Sequence, residues 1–395
     1  MKIRQISTDE WPQLSGPIQA YAFRPSPAPV NTPQSPRDKQ RYAEEHITLV
    51  AELDGAAVAD LSAVRMRQNV RGAVYPMAGL AGLATLPQVR RRGFARALIT
   101  QMLGLMRESG HVVSALYPFR PSFYERFGYV GLPQARTVTF APSGAAALLG
   151  ADLAGTVRWG RVADSYGPYL DFVGQLLTWC HGFAVLPESQ MAQRRDVGDR
   201  WLATAWVNGT VAGAVTYRIA GYGGDLLADD LLTSGPLSRA LLLRFLAGHT
   251  DHVARVTATI PAGELPELWA TDFAAVTQAT TSFPDAPAPM ARVLSLEGLA
   301  GLPTGTGQVT VEVVDDPFIA GHYALDGTTG QLEVRRGAAA GPEATLTAGG
   351  LSGLVYGVLD PDEVVIRGYG QVPSEAAARL RALFPRRTPY LCAKF

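Results

Sequence analysis

Between Leu80 and Met106 the chain changes its hydrophobic period. Leu80, Leu83 and Leu86, with small residues between them, read as a short buried strand that Pro87 ends, because proline has no N–H to give a ladder. From there apolar residues fall at Ala95, Leu98, Ile99, Met102, Leu103 and Met106, the spacing of an amphipathic helix. Upstream, Lys2 to Ile6 predicts a strand and Trp11 to Phe23 a helical patch. ITLVAEL then runs into Asp54-Gly55, a tight-hairpin signal, and the alternation continues through VADLSAVRMRQNV. After the helix, Val112 to Tyr117 is another buried strand.

The pattern then partly repeats. WLATAWVNGTVAGAVTYRI reads as two strands across Asn208-Gly209, followed by the strand LLADDLL and the helix SRALLLRFLAGH. This is a weak internal duplication. Its strand-to-helix turn is TSGPLS, which has no arginine. DFAAVTQ predicts one more strand, leading into a Pro/Ala linker from Pro284 to Pro289. A third pattern follows: VTVEVVDD, GHYALDG and GQLEVRRG as strands, ATLTAGGLSGLVYGV as a strand into a helix, and SEAAARLRALFP as a helix with Leu380, Leu383 and Phe384 on one side. Ser374 is its expected N-cap. The expected domains are 1–150, 151–285 and 286–395, in an α/β (α+β) chain.

Composition narrows the function classes. A chain of 395 residues, 47% hydrophobic, is long enough for two or three domains with real cores. Acidic and basic residues balance at 35 each, so no overall field recruits nucleic acid or an anionic membrane. Two cysteines exclude a disulfide framework, and the six histidines show no metal spacing. The start, MKIRQISTDEWPQL, lacks an apolar leader, and no run of about 18 apolar residues occurs. A soluble cytoplasmic protein with no membrane span and no metal is expected. The proline-rich stretch from Arg24 to Arg37 reads as a loop, either a surface linker or a wall over a pocket.

Two segments carry candidate chemistry. Arg90-Arg91-Arg92-Gly93-Phe94-Ala95 sets three arginines and a glycine before a helix start, where backbone N–H groups have no partner. It fits either a solvated helix start or a site for phosphate or pyrophosphate. Neither G-x-G-x-x-G nor G-x-x-x-x-G-K-[ST] is present, and no Gly-x-Ser-x-Gly elbow supports a serine hydrolase. The second segment is Phe123-Tyr124-Glu125-Arg126-Phe127-Gly128-Tyr129. Tyr124 is either a packed aromatic or a phenol that protonates a leaving group.

The spacing Arg90-x-x-Gly93-x-Ala95 after a strand resembles the acetyl-CoA pyrophosphate loop of the GNAT acyltransferases. RRRGFARAL with YERFGY, in a chain of this length, resembles more narrowly the Eis family of bacterial N-acetyltransferases. That resemblance implies an N-terminal GNAT domain, a second GNAT-like domain without its own cofactor site, and a sterol-carrier-like C-terminal domain. It implies acetyl-CoA as cosubstrate, with the backbone of Leu83, Ala84 and Thr85 along the pantetheine arm. The pyrophosphate would lie on Arg91, Arg92, Gly93, Phe94, Ala95 and Arg96, with further contacts at Phe119 and Arg120. Tyr124 would be the general acid and the terminal carboxylate of Phe395 the base. The acceptor would be a small-molecule or peptide amine, aminoglycoside-like or a lysine side chain, and the assembly a hexamer built as a dimer of trimers. A rival reading is a non-catalytic acyl-CoA or lipid binding protein that uses the third domain.

Overall fold

The computed structural model describes residues 1–24, 45–337 and 341–395, without the side chains of Arg194 and Val197; all but the first residue of the Arg24–Arg37 loop lies outside the described residues. Among them, two eight-stranded sheets and one five-stranded sheet form the frame. The first sheet runs in the order Lys2–Gln5, His46–Leu53, Ala56–Val70, Ala73–Thr85, Val113–Leu116, Met290–Val293 and Val130–Gly131, with Ala184–Val185 added on Ala56–Val70. Asp54 and Gly55 take φ of +52° and +82° and join two antiparallel strands, as the hairpin signal predicts. Asn208 and Gly209 repeat that geometry at +50° and +81°.

Helix Phe94–Glu108 covers one face of this sheet. Its stripe, Leu98, Ile99, Met102, Leu103 and Met106, is buried against Leu49, Leu61, Ala78 and Leu80. Each fully buried side chain of that kind contributes about 1.5–3 kcal/mol of burial. The other face packs on the third unit through Val64, Met66, Val70 and Met77. Being covered on both sides explains why Ala56–Val70 is buried at most positions rather than at every second one.

The second sheet is ordered Val276–Gln278, Arg136–Phe140, Val256–Ile260, Leu226–Asp230, Thr210–Ile219, Trp201–Val207 and Thr156–Arg161, with Leu232–Thr233 on Thr210–Ile219 and helix Pro236–Ala247 packed on it. The third sheet is ordered Glu333–Arg336, Gly321–Asp326, Gln308–Val314, Ala344–Thr347 and Gly370–Gln371.

Four details depart from the sequence reading. The strand containing Leu80 begins at Ala73 and ends at Thr85, while Pro87 opens a short 3-10 turn. The first helical patch is two helices, Trp11–Leu14 and Gly16–Phe23, each with proline in its first turn. Ser374 is the first helical residue; Pro373 holds the cap position, with no side-chain cap. Finally, cuts at 150 and 285 do not follow sheet membership: Arg136–Phe140 pairs in the second sheet, and Met290–Val293 completes the first. The returning strand brings in buried Arg292, which pairs with Asp316 of the third unit at 2.8 Å and donates to the Phe127 carbonyl.

The C-terminal segment is tied down along its length. Arg71 Nη2 donates to the Pro385 carbonyl at 2.8 Å, and the Tyr390 N–H donates to the His181 carbonyl at 2.8 Å. Tyr117 Oη donates to the carbonyls of Leu391 and Ala393 at 3.3 and 3.1 Å. Tyr390, Leu391 and Ala393 are buried.

Candidate active site

Strand Ala73–Thr85 pairs in parallel with Val113–Leu116 only from Met77 to Leu80. Beyond Leu80 the two strands part. On the opposite edge the register slips, so that Leu61 stands against both Gly82 and Leu83, with Gly82 at φ +62°. A bulge there bends the strand away from its neighbour. The gap opens into a cleft of about 1180 Å³ flanked by Leu83, Ala84 and Thr85.

The Arg-rich turn closes one end of that cleft. Arg91 and Gly93 both take left-handed backbone, at φ +62° and +89°, and Gly93 caps helix Phe94–Glu108 with no side-chain cap. The N–H groups of Phe94, Ala95 and Arg96 therefore lack intrahelical acceptors. A Cβ on Gly93 would meet nothing within 4 Å, so the backbone faces open space. Arg90, Arg91 and Arg96 line the same cleft. Free amide donors, the positive end of a 15-residue helix and adjacent guanidinium groups suit a pyrophosphate.

Tyr124 lies across the cleft on the short helix Pro121–Glu125, within an aromatic group that holds its ring edge-on. Phe123 stands 5.1 Å from it, Phe119 5.6 Å and Tyr129 6.3 Å between centroids. Burial, then the nearby Tyr129, push the Tyr124 phenol above its ordinary value, so it stays protonated. Tyr129 itself is fully buried and shares a 2.8 Å hydrogen bond with Ser114 Oγ, a packing role.

Phe395 reaches this point from the far end of the chain. Its ring lies 5.7 Å from Tyr117 and against Gly79, where a Cβ would come within 2.7 Å of it. Phe395 also borders a second cleft of about 490 Å³, whose walls include Trp11, Gln19, Phe23 and Val64. The two clefts share Ala81, Gly82, Phe23 and Phe395. Gln19 Nε2 donates to Asp60 Oδ2 at 2.7 Å and to the Gly82 carbonyl, bracing the bulge. Asp60 is fully buried, and burial pushes its carboxyl up to about 7 against the hydrogen bonds from Ser15 and Gln19.

Of the sequence-predicted residues, all but Arg92 and Arg120 border the larger cleft. The Arg92 guanidinium lies 5.9 Å over the Phe94 ring, and Arg120 is an exposed residue before helix Pro121–Glu125. Sequence reasoning missed Tyr117, Phe123, Arg126 and Pro284 in the cleft wall, and Gln19 and Asp60 beneath the bulge. Phe123 and Arg126 lie inside the aromatic segment already singled out, and Tyr117 ends the strand before it. Pro284 and Asp60 carry no local signal. Lys394 is exposed and lines a different pocket, with Asp199 and Asp229, so its charge faces away from the cleft.

The second unit has the same split in altered form. Helix Pro236–Ala247 begins with Gly235-Pro236, and its first-turn Arg239 pairs with Glu264 at 3.1 Å. The space beside Leu231–Thr233 is about 290 Å³, and the buried Tyr390 forms part of its wall.

Residues 2–131 match the family described as acetyltransferase (GNAT) domain. A 65-residue stretch is 40% identical to the N-acetyltransferase Eis of Mycobacterium tuberculosis, an alignment covering 16% of this chain and 16% of that relative. Two solved structures share the fold over the entire chain. Eis1 from Mycobacterium abscessus superimposes with a TM-score of 0.79 at 19% identity, covering 100% of both chains. A GCN5-related N-acetyltransferase from Anabaena variabilis gives 0.83 at 19%, also covering 100% of both. No helix among the described residues is long and apolar enough to cross a membrane.

Proposed function

With residues 2–131 a GNAT acetyltransferase domain and the Eis-type fold along the whole chain, we propose that this protein is an acetyl-CoA-dependent N-acetyltransferase acting on a primary amine. The observation that carries the proposal is one cleft lined by an uncapped, arginine-flanked helix start, Tyr124 and Phe395. Acetyl-CoA supplies the thioester when bound. Leu83, Ala84 and Thr85 would run along its pantetheine arm. Arg91, Arg96 and the amides of Phe94 and Ala95 would hold its pyrophosphate.

The amine nitrogen forms a bond to the acetyl carbonyl carbon, and the carbon–sulfur bond breaks with its electron pair on sulfur. Tyr124 gives that sulfur its proton. The Phe395 carboxylate, directly or through water, takes the proton the amine loses. An α-carboxyl titrates near 3.5, low for a base at neutral pH, so the half-buried setting of Phe395 and water relay both matter. A carrier of acyl-CoA or lipid would have no need of an acid and a base meeting at one cleft.

The altered second split supports one such site per chain, and the five-stranded third unit serves in this reading to deliver the C-terminus. The Eis likeness extends the proposal to a cytoplasmic hexamer. Steady-state thiol release tests the chemistry. Extending the chain beyond Phe395, or making Tyr124→Phe, lowers kcat by about 10²-fold or more while acetyl-CoA affinity holds. Full kcat in the extended chain removes the carboxylate from the mechanism, and full kcat in Tyr124→Phe removes the phenol.

A further inference from the structure

We infer that the altered split of the second unit is a socket for Tyr390, and that this socket fixes the register of the C-terminal segment and so the place of the Phe395 carboxylate. The inference rests on the acetyltransferase reading and gives the second unit a task in that same site.

In the second unit Leu226–Asp230 runs parallel to Val256–Ile260 as far as Asp230 against Thr259, and the Leu231 N–H still donates to the Thr259 carbonyl at 2.9 Å. Beyond that point Leu232–Thr233 keeps to Thr210–Ile219, and the ladder to Val256–Ile260 ends. The space of about 290 Å³ that opens there is bordered by Leu231, Leu232, Ile260 and Pro261 and, from the far end of the chain, by Thr388 and Tyr390. The Tyr390 ring is buried with Phe172 and Leu176 of helix Tyr166–Trp179 and with Leu202, Val211 and Ala214 of the sheet. Its Oη donates to Asp230 Oδ1, at the last paired position before the split. Burial, then the Asp230 charge, push this phenol well above its ordinary value, so it keeps the proton that it donates. On the backbone side the Tyr390 N–H donates to the His181 carbonyl at 2.8 Å. Gly182, at φ +84°, lets the segment come so close that a Cβ there would meet Pro389 Cβ at 2.5 Å and Tyr390 N at 2.6 Å.

From this anchor the chain alternates. Tyr390 and Cys392 pack in the second unit's cluster, and Lys394 lines a pocket with Cys392, Asp199 and Asp229 on that side. Leu391, Ala393 and Phe395 pack on the core shared by the first and third sheets. A period of two is that of extended chain, in which successive side chains leave on opposite faces. A slip by one residue would exchange the two sets, carrying Lys394 toward the catalytic cleft and Phe395 toward the second unit. Tyr117 Oη donates to the Leu391 and Ala393 carbonyls, but carbonyls facing one way recur at every second residue, so these bonds alone do not choose the register. A ring that fills one socket and a hydroxyl that meets one carboxylate do choose it. Tyr390 thus acts through Phe395, as a positioning residue.

Tyr390→Ala empties the socket. It is expected to lower kcat for thiol release by about 10²-fold, the cost of a reacting group misplaced by about 1 Å, with acetyl-CoA affinity by calorimetry kept within about twofold. The same substitution in a chain already lacking Phe395 should remove nothing further, because both changes act through one carboxylate; a loss from general destabilisation would add. Tyr390→Phe keeps the ring, loses the Asp230 bond, and should cost about threefold to tenfold in kcat. Carboxypeptidase Y reads the anchor without turnover, and should release Phe395 from Tyr390→Ala about tenfold faster than from the parent. Parental kcat in Tyr390→Ala, or an equal further loss in the shortened chain, overturns the inference and leaves the acetyltransferase reading intact. If Tyr390→Ala does not fold, parental kcat in Tyr390→Phe does the same. If no amine makes the parent release thiol, the acetyltransferase reading falls, and a parental rate of Phe395 release from both Tyr390 variants then overturns the socket as well.

Discussion

Gly79→Ala separates the position of Phe395 from the stability of the fold. Gly79 is a strand residue paired with Val64 and Ala115, and it is not among the glycines with positive φ, so alanine suits its backbone. The added Cβ would lie 2.7 and 2.8 Å from two ring carbons of Phe395 and 2.9 Å from Met66 Sδ. Carbon–carbon contacts settle near 3.5–4.0 Å, so a displacement of about 1 Å is required. The Met66 sulfur is a flexible side-chain end, and Phe395 is the last residue of the chain; these two yield, and the central strand does not. A reacting group misplaced by about 1 Å costs about 10²-fold in rate. Gly79→Ala is therefore expected to lower kcat by roughly that factor with acetyl-CoA affinity retained. Its melting temperature should stay within about 3 °C, because a large domain moves only a few degrees per kcal/mol. Thiol release, calorimetric titration and thermal melting give the three readings. Parental kcat would refute the reasoning. So would an equal loss from Gly79→Ala in a chain already lacking Phe395, since the two changes act through one contact and should not add.

Two further outcomes follow from the geometry. Gly93→Asp sets a negative charge at the helix start where the pyrophosphate is placed, and should weaken acetyl-CoA binding by about 10²-fold or more by calorimetry; Arg91→Glu should weaken it too, and Arg92→Glu far less, because Arg92 lies over Phe94 outside the cleft. His181 is held neutral, since burial pushes its imidazole down to about 4; its Nδ1 accepts from the Arg71 N–H at 3.0 Å, and its Nε2 lies 2.9 Å from the Tyr356 carbonyl. Above pH 6.5 it is neutral in both folded and unfolded chains. Below that the unfolded chain takes up a proton that the fold refuses, so stability falls between pH 6.5 and 4 by up to about 3 kcal/mol. Asp60 acts in the opposite sense, its raised carboxyl losing stability as pH rises through about 7. The measurement is therefore the difference between the parent and His181→Gln in denaturant unfolding across that range, and a difference independent of pH contradicts the buried neutral histidine.

The parts of the site legible in the sequence are those whose physics is local. A left-handed glycine before a helix, three arginines and an uncapped start all lie within six residues, so RRRGFA marks a candidate anion site without help from distant residues. Tyr124 is legible by the aromatic residues beside it, which also pack it in space. The Asp54-Gly55 and Asn208-Gly209 turns are legible because two successive positive φ angles restrict the residues allowed there. Spacing along a turn does not say which of three adjacent guanidinium groups lines the cleft; Arg90 and Arg91 do, and Arg92 lies over the Phe94 ring. Gln19 and Asp60 are 41 residues apart, and their pairing depends on a bulge at Gly82. No periodicity encodes such a meeting.

The sheets show the same limit on a larger scale. Arg136–Phe140 and Met290–Val293 each join a sheet outside their expected domain, and hydrophobic pattern does not say which sheet accepts a strand, since every apolar strand edge offers the same ladder. The exchange has a mechanical consequence for the site. Met290–Val293 pairs with Val113–Leu116, the strand leading to Tyr117, so segments far apart in the chain share one ladder. Tyr117 in turn donates to two carbonyls of the C-terminal segment. Arg292 on the returning strand ties the Phe127 carbonyl, three residues past Tyr124, to Asp316 of the third unit. The proposed acid and the proposed base are thus braced by one set of contacts, although 271 positions separate Tyr124 from Phe395 in the 395-residue chain. The crossed strand and the Tyr117 hydrogen bonds connect the N-terminal cleft to the C-terminal segment.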